Sequence, residues 1–306
     1  MPARLIFIVG PTAIGKTRLA IRLAAKINGE IVSCDSMQVY RGMRILSQAP
    51  STKERFGIRH HLVGVIPPST EYNVADFRRE AESAIRLILK RGKTPILVGG
   101  SGLYVKALVD GLFSSPGEDS YFRKKMSDFA ERYGRKRLHK RLLRIDPASA
   151  ENIHPNDLRR VIRALEINHL TGKTMTQLKP ATFGLKDVYD IKIFGLTRSD
   201  RGRIYSDIEN RIDEMASEGV LGEVRRLMSK RLSKTAAKAL GFEELSDHIK
   251  KELPLAEAIA RVKIKTRRFA KRQLSWFRAD PRIEWFDLDK TAENNIIRMI
   301  TRDFGI

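Results

Sequence analysis

The chain has 306 residues with a single cysteine, Cys34, and its 58 Lys and Arg outnumber 36 Asp and Glu, giving a formal net charge of +22. This composition excludes an intramolecular disulfide or a cysteine metal cluster, and no segment reaches the roughly 18 apolar residues of a membrane span. We therefore expect a cytoplasmic protein without a membrane partner, whose basic surface binds a polyanion such as nucleic acid.

The first predicted elements are a strand over residues 4–9 and a helix over 16–27, joined by the segment GPTAIGKT. This segment matches the phosphate-loop pattern G-x-x-x-x-G-K-[ST] in the strand–loop–helix setting that the pattern requires. Loop amides, the helix dipole, the Lys16 ammonium and the Thr17 hydroxyl are suited to a phosphate chain and its Mg²⁺, with Thr17 as the metal ligand. The predicted phosphate-binding residues are Gly10, Pro11, Thr12, Ala13, Ile14, Gly15, Lys16 and Thr17.

A second strand is predicted over residues 30–34, and Asp35 follows it directly in EIVSCDSMQVYRGM. Open α/β sheets bind ligands at the carboxyl ends of their strands, so this carboxylate is expected beside the phosphate loop. Asp35 could bind Mg²⁺ through water, or it could accept a proton from an incoming nucleophile. Alternatively, Asp35 or Ser36 could only cap the turn that follows.

A helix is predicted over residues 76–91 and a third strand over 94–98, which leads through GGSG into a helix over 102–109. The glycines allow the backbone to come close to a substrate, and Ser101 offers a hydroxyl there. Because this strand ends in glycines and not in the metal-binding aspartate of a nucleoside triphosphatase, the pattern favours group transfer over hydrolysis.

From about residue 113 the chain becomes helical and charged, with Pro147 just inside a predicted helix start and Gly172 just past a helix end. Ten basic residues stand against three acidic ones over residues 119–144, which predicts one basic face. Strand character returns over residues 189–196. The predicted domains are a P-loop α/β core with C-terminal helices, residues 1–112 and 190–306, and a helical insertion, residues 113–189.

The last third of the chain is predicted to form helices over residues 200–218, 222–231 and 254–278, then a strand near 283–286 and a final helix. Residues 261–278, RVKIKTRRFAKRQLSWFR, include eight basic residues and no acidic one, which predicts a second basic face. The aromatic residues of this segment could stack on bases, but their spacing favours anchoring to the core. The predicted fold class is α/β, a P-loop, doubly wound parallel sheet with a helical insertion domain.

These motifs, in their order along the chain, resemble the tRNA dimethylallyltransferase (isopentenyltransferase) family. The matching segments are GPTAIGKT, SCDSMQVYRGM, HHLVGV, VADF, PILVGGSGLYVKAL, HPNDLRRVIRALEI and TRRFAKRQLSWFR, spread over roughly residues 6–286. The resemblance implies an enzyme that transfers a dimethylallyl group from dimethylallyl diphosphate to N6 of the adenosine 3′-adjacent to the anticodon of tRNA and releases diphosphate. It also implies that the insertion grips the anticodon stem-loop.

The resemblance further implies roles for individual positions. Lys16, Thr17 and Arg211 would act on the diphosphate, with Mg²⁺ at Thr17. Asp35 would take the proton of the adenine amine, and Ser101, where the family usually has threonine, would place its hydroxyl at the reacting centre. The contacts to tRNA that the resemblance implies are Asp35, Ser36, Met37, Gln38, Ser101, Arg123, Arg159, Arg160, Val161, Ile162 and Arg163.

Four positions depart from the family pattern. Ile14 replaces a small or hydroxyl residue of the loop, and the segment LSQAPS around Gln48 lacks the usual lysine near the substrate. Asp207 stands where arginine is frequent, and ALGFEE around Glu243 lacks a basic residue. Position 14 contributes mainly its backbone, so the phosphate-loop pattern and Asp35 stay intact, and the other departures concern single tRNA contacts.

The chemistry of such a transfer fits the candidate residues. An exocyclic adenine amine is a weak nucleophile, so a carboxylate that takes its proton helps the attack. Charge that grows on a leaving diphosphate is stabilised by cations and loop amides. The open alternatives are a P-loop kinase of a small metabolite or nucleotide, an adenine-nucleotide prenyltransferase, and a nucleotide-dependent RNA-binding module without chemistry. The net charge of +22 favours a large polyanion, and we expect the chain to act as a monomer.

Overall fold

The computed structural model describes residues 3–112, 117–178 and 182–304. The chain divides into two compact units, Met1–Val109 with Val188–Ile306, and Asp110–Asp187. These limits lie beside the predicted domain boundaries at residues 113 and 189. Among the described helices, none combines the length and apolar character that crossing a membrane requires.

A six-stranded parallel sheet forms the centre of the first unit. Its strands are β1 (Arg4–Val9), β2 (Gly29–Ser33), β3 (His60–His61), β4 (Thr94–Gly99), β5 (Asp190–Thr197) and β6 (Ile283–Asp287). Their order across the sheet is β3-β2-β4-β1-β5-β6. The apolar run of β1 is buried throughout, as expected of a parallel strand covered on both faces. The predicted α/β fold class is therefore confirmed.

The helices of the two units account for most of the remaining chain. In chain order they are α1 (Lys16–Lys26), α2 (Val74–Lys90), α3 (Gly102–Val109), α4 (Ser120–Tyr133), α5 (Arg135–Ile145), α6 (Pro147–Asn152), α7 (Leu158–Thr171), α8 (Met175–Leu178), α9 (Arg201–Ser217), α10 (Val220–Met228), α11 (Phe242–Ile249), α12 (Leu255–Arg278) and α13 (Glu293–Asp303). Helices α4 to α8 lie in the second unit, and the others lie in the first.

Helix ends explain most differences from the predicted elements. Helix α2 begins two residues before the predicted start at 76, because the Asn73 side chain accepts hydrogen bonds from the amides of Ala75 and Asp76 and Asp76 bonds back to the Asn73 amide. Strand β3 and helix α11 were missing from the prediction. Both are too short to give a clear hydrophobic period.

The second unit has its own small apolar core. It is formed by Met126, Ala130, Leu138, Leu142, Ala150, Ile153, Val161, Ile162, Ala164 and Leu165. Pro147 is the first residue of α6, and Gly172 ends α7 in a left-handed conformation with φ of 69°, as predicted for both. Because this core brings α4, α5, α6 and α7 together, the unit packs as a body of its own.

Candidate active site

The phosphate loop lies between β1 and α1 and has the backbone that its glycines allow. Gly10 and Gly15 have φ angles of 141° and 91°, in the region that side chains disfavour. A Cβ at Gly10 would also lie only 2.6 Å from the carbonyl oxygen of Leu196. Gly15 leads directly into the N-terminus of α1, where free amides and the helix dipole favour an anion.

Contacts from distant parts of the first unit fix the tip of this loop. The amide of Thr12 donates to Gln273 Oε1 (2.8 Å), and the Thr12 hydroxyl donates to Gln48 Oε1 (3.4 Å). Lys16 folds back so that its Nζ donates to the carbonyl oxygen of Pro11 (2.6 Å). The Thr17 hydroxyl, by contrast, makes no hydrogen bond with any residue that the structure describes. The Thr12 amide is thus engaged by protein, whereas the Thr17 hydroxyl is open to a ligand.

Asp35 follows β2 and turns the chain at the sheet edge. Its Oδ1 accepts hydrogen bonds from the amides of Met37 (2.8 Å) and Gln38 (3.4 Å), so the capping role considered for this residue is present. Oδ2 has no hydrogen-bond donor among the described residues. One carboxylate oxygen therefore orders the turn and leaves the second available for a substrate proton.

Ser101 lies against the same turn. Its Oγ accepts a hydrogen bond from the Ser36 amide (3.3 Å), and its own amide donates to the Cys34 carbonyl (3.3 Å). The two strand ends can approach because Gly99 has no side chain, since a Cβ there would lie 2.2 Å from the same carbonyl oxygen. The structure thus brings Ser101, Asp35 and the turn after Asp35 together at the ends of neighbouring strands.

Burial sets the electrostatics of Lys16 and Asp35. Desolvation lowers the pKa of Lys16 from 10.5 to about 8, against the attraction of the Asp35 carboxylate. Desolvation raises the pKa of Asp35 above 3.8, although amide hydrogen bonds and the charge of Lys16 oppose the rise. A raised pKa makes Asp35 a stronger proton acceptor than an exposed aspartate.

Helix α12 contacts the site on one face. Its buried stripe consists of Ala258, Val262, Thr266, Ala270, Gln273 and Phe277. Gln273 Nε2 donates to the Gly100 carbonyl (3.0 Å), and Trp276 packs so closely on Gly102 that a Cβ there would lie 2.2 Å from the indole. The predicted core anchoring is therefore confirmed for Phe277, whereas Trp276 packs on Gly102 but leaves 38% of its surface exposed. Sequence reasoning missed Gln273, although a polar residue on an apolar helical stripe was the available signal.

Arg211, the predicted partner of the diphosphate, makes protein contacts in this state. It lies on α9, where its Nη1 is 3.1 Å from Glu214 and 3.7 Å from Glu218. Arg44 also pairs with Glu218 (3.3 Å). To bind a diphosphate, Arg211 would exchange these partners for the ligand, so its role stays a prediction.

The departures from the family pattern occupy specific places. Gln48 contacts the phosphate loop through Thr12, as described above. Asp207 accepts a hydrogen bond from Arg198 (2.9 Å), and Glu243 pairs with Lys265 (2.8 Å). These two carboxylates therefore balance neighbouring cations of this chain.

In the second unit, Glu166 gathers the basic side chains that were predicted to contact tRNA. It is completely buried, and it accepts two hydrogen bonds from Arg123 (2.8 and 2.9 Å) and another from Arg163. Burial would raise the pKa of Glu166, but the bonds from Arg123 and Arg163 outweigh it and hold that pKa below 4.5. Glu166 thus stays ionised and orients both guanidinium groups.

The remaining predicted tRNA contacts of this unit differ in how exposed their side chains are. The side chains of Val161 and Ile162 are buried in the core of the unit, so they are not surface groups. Arg159 and Arg160 are exposed. Arg160 is 3.3 Å from Asp157, whereas Arg159 has no ion pair among the described residues. Arg159 and Arg160 are therefore the side chains of this segment that a polyanion can reach.

Glu166→Gln should lower the free energy of unfolding by about 1–3 kcal/mol, because two arginines lose their charged acceptor in a buried position. Glu118→Gln is the control, since Glu118 bonds the same Arg123 (2.9 Å) but is largely exposed, and it should cost less than about 0.5 kcal/mol. Urea unfolding at neutral pH measures both. Because the pKa of Glu166 is lowered in the folded protein, its contribution to the free energy of unfolding is present above pH 4.5 and lost in acid. If Glu166→Gln destabilises the protein equally at acid and neutral pH, this role is contradicted.

The described residues offer no cluster of three or more His, Cys, Asp or Glu side chains that could hold a metal ion. Mg²⁺ often keeps several waters and binds through one or two protein oxygens together with substrate phosphates. The open Thr17 hydroxyl beside the phosphate loop fits this kind of site. The donor set is therefore suited to a metal that arrives with a phosphate ligand.

Two family models match the chain. The model described as IPP transferase matches residues 38–280, and the model described as isopentenyl transferase matches residues 3–64. Among curated proteins, the tRNA dimethylallyltransferase of Carboxydothermus hydrogenoformans is 44% identical over 308 residues, which cover 100% of this chain and 99% of that protein. That of Halothermothrix orenii is 44% identical and covers 98% of this chain and 93% of its own length.

Solved structures show the same similarity. The full-length tRNA isopentenylpyrophosphate transferase of Bacillus halodurans superposes with a TM-score of 0.72 and 39% identity, covering 99% of this chain and 96% of that chain. A eukaryotic dimethylallyltransferase acting on tRNA superposes with a TM-score of 0.78 and 30% identity, covering 99% of this chain and 79% of the other. Sequence and fold therefore agree along the entire chain.

Proposed function

This chain belongs to the IPP transferase family, and we propose that it transfers a dimethylallyl group from dimethylallyl diphosphate to N6 of the adenosine 3′-adjacent to the anticodon of tRNA. Diphosphate is the other product. The observation that supports this most is the phosphate loop at the carboxyl edge of the same sheet as the open oxygen of Asp35 and the hydroxyl of Ser101. A cradle for a leaving group thus lies near a proton acceptor.

On the donor side, the allylic C–O bond breaks and its electron pair leaves with the diphosphate. The Lys16 ammonium, the loop amides and the N-terminus of α1 stabilise the charge that grows there. Lys16 has three donor hydrogens, so its bond to Pro11 leaves two for the leaving group. Arg211 would add a further cation after releasing Glu214.

On the acceptor side, the new N6–C bond forms while the amine loses a proton to Asp35 Oδ2. The lone pair of this amine is delocalised into the ring, and proton removal as the bond forms makes the attack easier. The Ser101 hydroxyl lies beside the same turn and positions the base. The adenosine must leave its stack to enter the site, which costs least in a single-stranded loop.

Mg²⁺ is the proposed cofactor, with the open Thr17 hydroxyl as its protein ligand. When bound, the metal would neutralise part of the diphosphate charge and so favour its departure. The residues of this chain would orient the diphosphate through the loop amides and Lys16. With tRNA as the substrate, the cytoplasm is the proposed compartment, and a monomer is the proposed acting form.

The proposal is tested by incubating the protein with a tRNA and labelled dimethylallyl diphosphate, beside a parallel reaction with γ-labelled ATP. Label should appear in tRNA that has an adenosine 3′-adjacent to the anticodon, and not in tRNA with another base there. Label in free adenine nucleotides only would point to a nucleotide prenyltransferase, and phosphate transfer from ATP would point to a kinase. If the protein binds RNA but catalyses neither reaction, the proposal that it is an enzyme is contradicted.

The basic segments supply the proposed surface for the tRNA backbone. In the second unit, Arg159 and Arg160 are exposed at the start of α7. In the first unit, Arg268, Lys271 and Arg272 are exposed on α12. Side chains of this kind neutralise phosphates and release the counterions of the nucleic acid.

Binding of tRNA should therefore weaken log-linearly with salt, whereas binding of dimethylallyl diphosphate should be far less sensitive. Arg159→Ala should lower the salt slope by roughly one and raise the KM for tRNA while leaving that for the prenyl donor unchanged. Lys90→Ala, an exposed cation of α2 outside both basic segments, is the matched control. Filter binding from low to moderate salt measures the slopes. If the affinity for tRNA does not change with salt, the positive charge serves only solubility.

A further inference from the structure

Gln273 joins two segments that follow different strands. It is buried on α12, where its Oε1 accepts the hydrogen bond from the Thr12 amide (2.8 Å) and its Nε2 donates to the Gly100 carbonyl (3.0 Å). Thr12 belongs to the phosphate loop after β1, and Gly100 belongs to the turn after β4 that carries Ser101. One side-chain amide thus bridges the donor side and the acceptor side of the proposed reaction.

The fit around this amide is close. A Cβ at Gly100 would lie 2.1 Å from Gln273 Nε2, so the approach depends on a residue without a side chain. Three residues later on the same face of α12, Trp276 fills the space over Gly102. Helix α12 therefore contacts the segment after β4 through two residues, Gln273 and Trp276. Of these two, only Gln273 also contacts the phosphate loop.

The chemistry of the bridge requires a carboxamide. Thr12 presents a donor and Gly100 an acceptor, and a neutral amide side chain offers both functions in one plane. An unpaired amide or carbonyl in this buried position would be unfavourable, so a side chain lacking either function would let the two segments shift. Because Thr12 is also held through its hydroxyl by Gln48 (3.4 Å), the loop tip is restrained from two directions.

We propose that Gln273 is a positioning residue for the transfer, which sets the separation between the phosphate loop and the turn that carries Ser101. This inference rests on the proposed function and deepens it. Gln273 touches no reacting atom. It acts by holding the leaving diphosphate and the acceptor turn in one geometry, and a shift of about 1 Å in such a geometry is enough to cost roughly 10²-fold in rate.

The first test replaces the amide with a side chain of similar length. Gln273→Met should slow single-turnover transfer by roughly 10²-fold and leave the KM for tRNA within about twofold, because positioning and not RNA binding is lost. Its affinity for inorganic diphosphate should fall by about tenfold, since the loop tip loses a restraint. Thr266→Val is the matched control, because Thr266 is buried on the same helix but its hydroxyl bonds only to Val262. This control should behave as wild type.

A double-mutant cycle tests the bridge independently. Gly100→Ala alone should reproduce the slow transfer, because its methyl group displaces the Gln273 amide. In the Gln273→Ala background the same methyl enters vacated space, so Gly100→Ala should then add less than about threefold. Additive effects would overturn the inference, as would a Gln273→Met variant that matches Thr266→Val. If Gln273→Met does not fold, Gln273→Asn, which keeps the amide but is too short to span both segments, should show the same loss.

Binding of inorganic diphosphate separates this inference from the proposed function. If wild type transfers no prenyl group to tRNA, the proposed function fails, but the loss of diphosphate affinity in Gln273→Met still tests the bridge. If wild type is active and the variant binds diphosphate and reacts as wild type does, the positioning role fails alone.

Discussion

Asp35→Asn should slow the single-turnover transfer of the prenyl group by roughly 10²–10⁴-fold, the usual contribution of a general base. The amide can still accept the hydrogen bonds that Met37 and Gln38 donate to Oδ1, so the turn keeps its shape. It cannot accept the amine proton as a carboxylate does. Affinity for an anticodon stem-loop and for dimethylallyl diphosphate should therefore change little.

The measurement is rapid-mixing transfer to an anticodon stem-loop across a Mg²⁺ titration. Asp200→Asn is the control, because Asp200 also accepts a backbone amide, that of Gly202 (2.7 Å), at the start of α9. Its rate should equal that of wild type. A metal-binding role for Asp35 predicts a different result, namely a variant whose rate recovers at high Mg²⁺, and that recovery would rule out the base assignment.

Lys16→Met should cost about 2–4 kcal/mol of transition-state stabilisation, because a partly buried cation no longer meets the charge on the diphosphate. Lys26→Met, at the exposed end of the same helix, should leave the rate unchanged. Lys16 also opposes the rise in the pKa of Asp35, so its loss raises that pKa further. The comparison is made at about pH 7, where the Lys16 ammonium of wild type is charged. If Lys16→Met folds and turns over normally, this loop does not bind the leaving diphosphate.

The lowered pKa of Lys16 adds a pH dependence to the same prediction. Below about pH 8 the ammonium is charged in the free protein, and above it the charge is progressively lost. Diphosphate binding should therefore weaken as the pH rises through about 8 in wild type. Titration calorimetry of Lys16→Met reports the pH dependence that remains without this ammonium, and an equal pH dependence in both proteins would show that Lys16 is not the titrating group.

Local patterns made the backbone of the loop after β1 predictable. The observed φ angles at positions 10 and 15 favour glycine, and the alternation of strands and helices predicted that the sheet would be parallel. Family membership followed from short motifs in a fixed order. These patterns did not indicate which side chains are buried. Two predicted tRNA contacts, Val161 and Ile162, belong instead to the core of the second unit.

The sequence likewise shows how many charged residues the chain has, but not which of them form ion pairs. The predicted tRNA contact Arg123 carries a full charge in the sequence, but its guanidinium lies against Glu166, 43 residues further along. Arg44 in the same way meets Glu218, 174 residues further along. Local sequence patterns could not predict these partners, because such ion pairs depend on which distant segments fold together.

The sequence by itself therefore determined the conformation of the loop between β1 and α1, the place of the Asp35 carboxylate at the end of β2 and the family of this chain, because each is encoded in adjacent residues. Only the tertiary structure decided how those pieces act together. The bond between Thr12 and Gln273 joins residues 261 positions apart, and no local pattern anticipates it. Folding also removes water from Lys16 and Asp35, and this desolvation shifts their pKa values towards each other. The residue types came from the sequence, but their pKa values depend on burial and on partners that folding brings into contact.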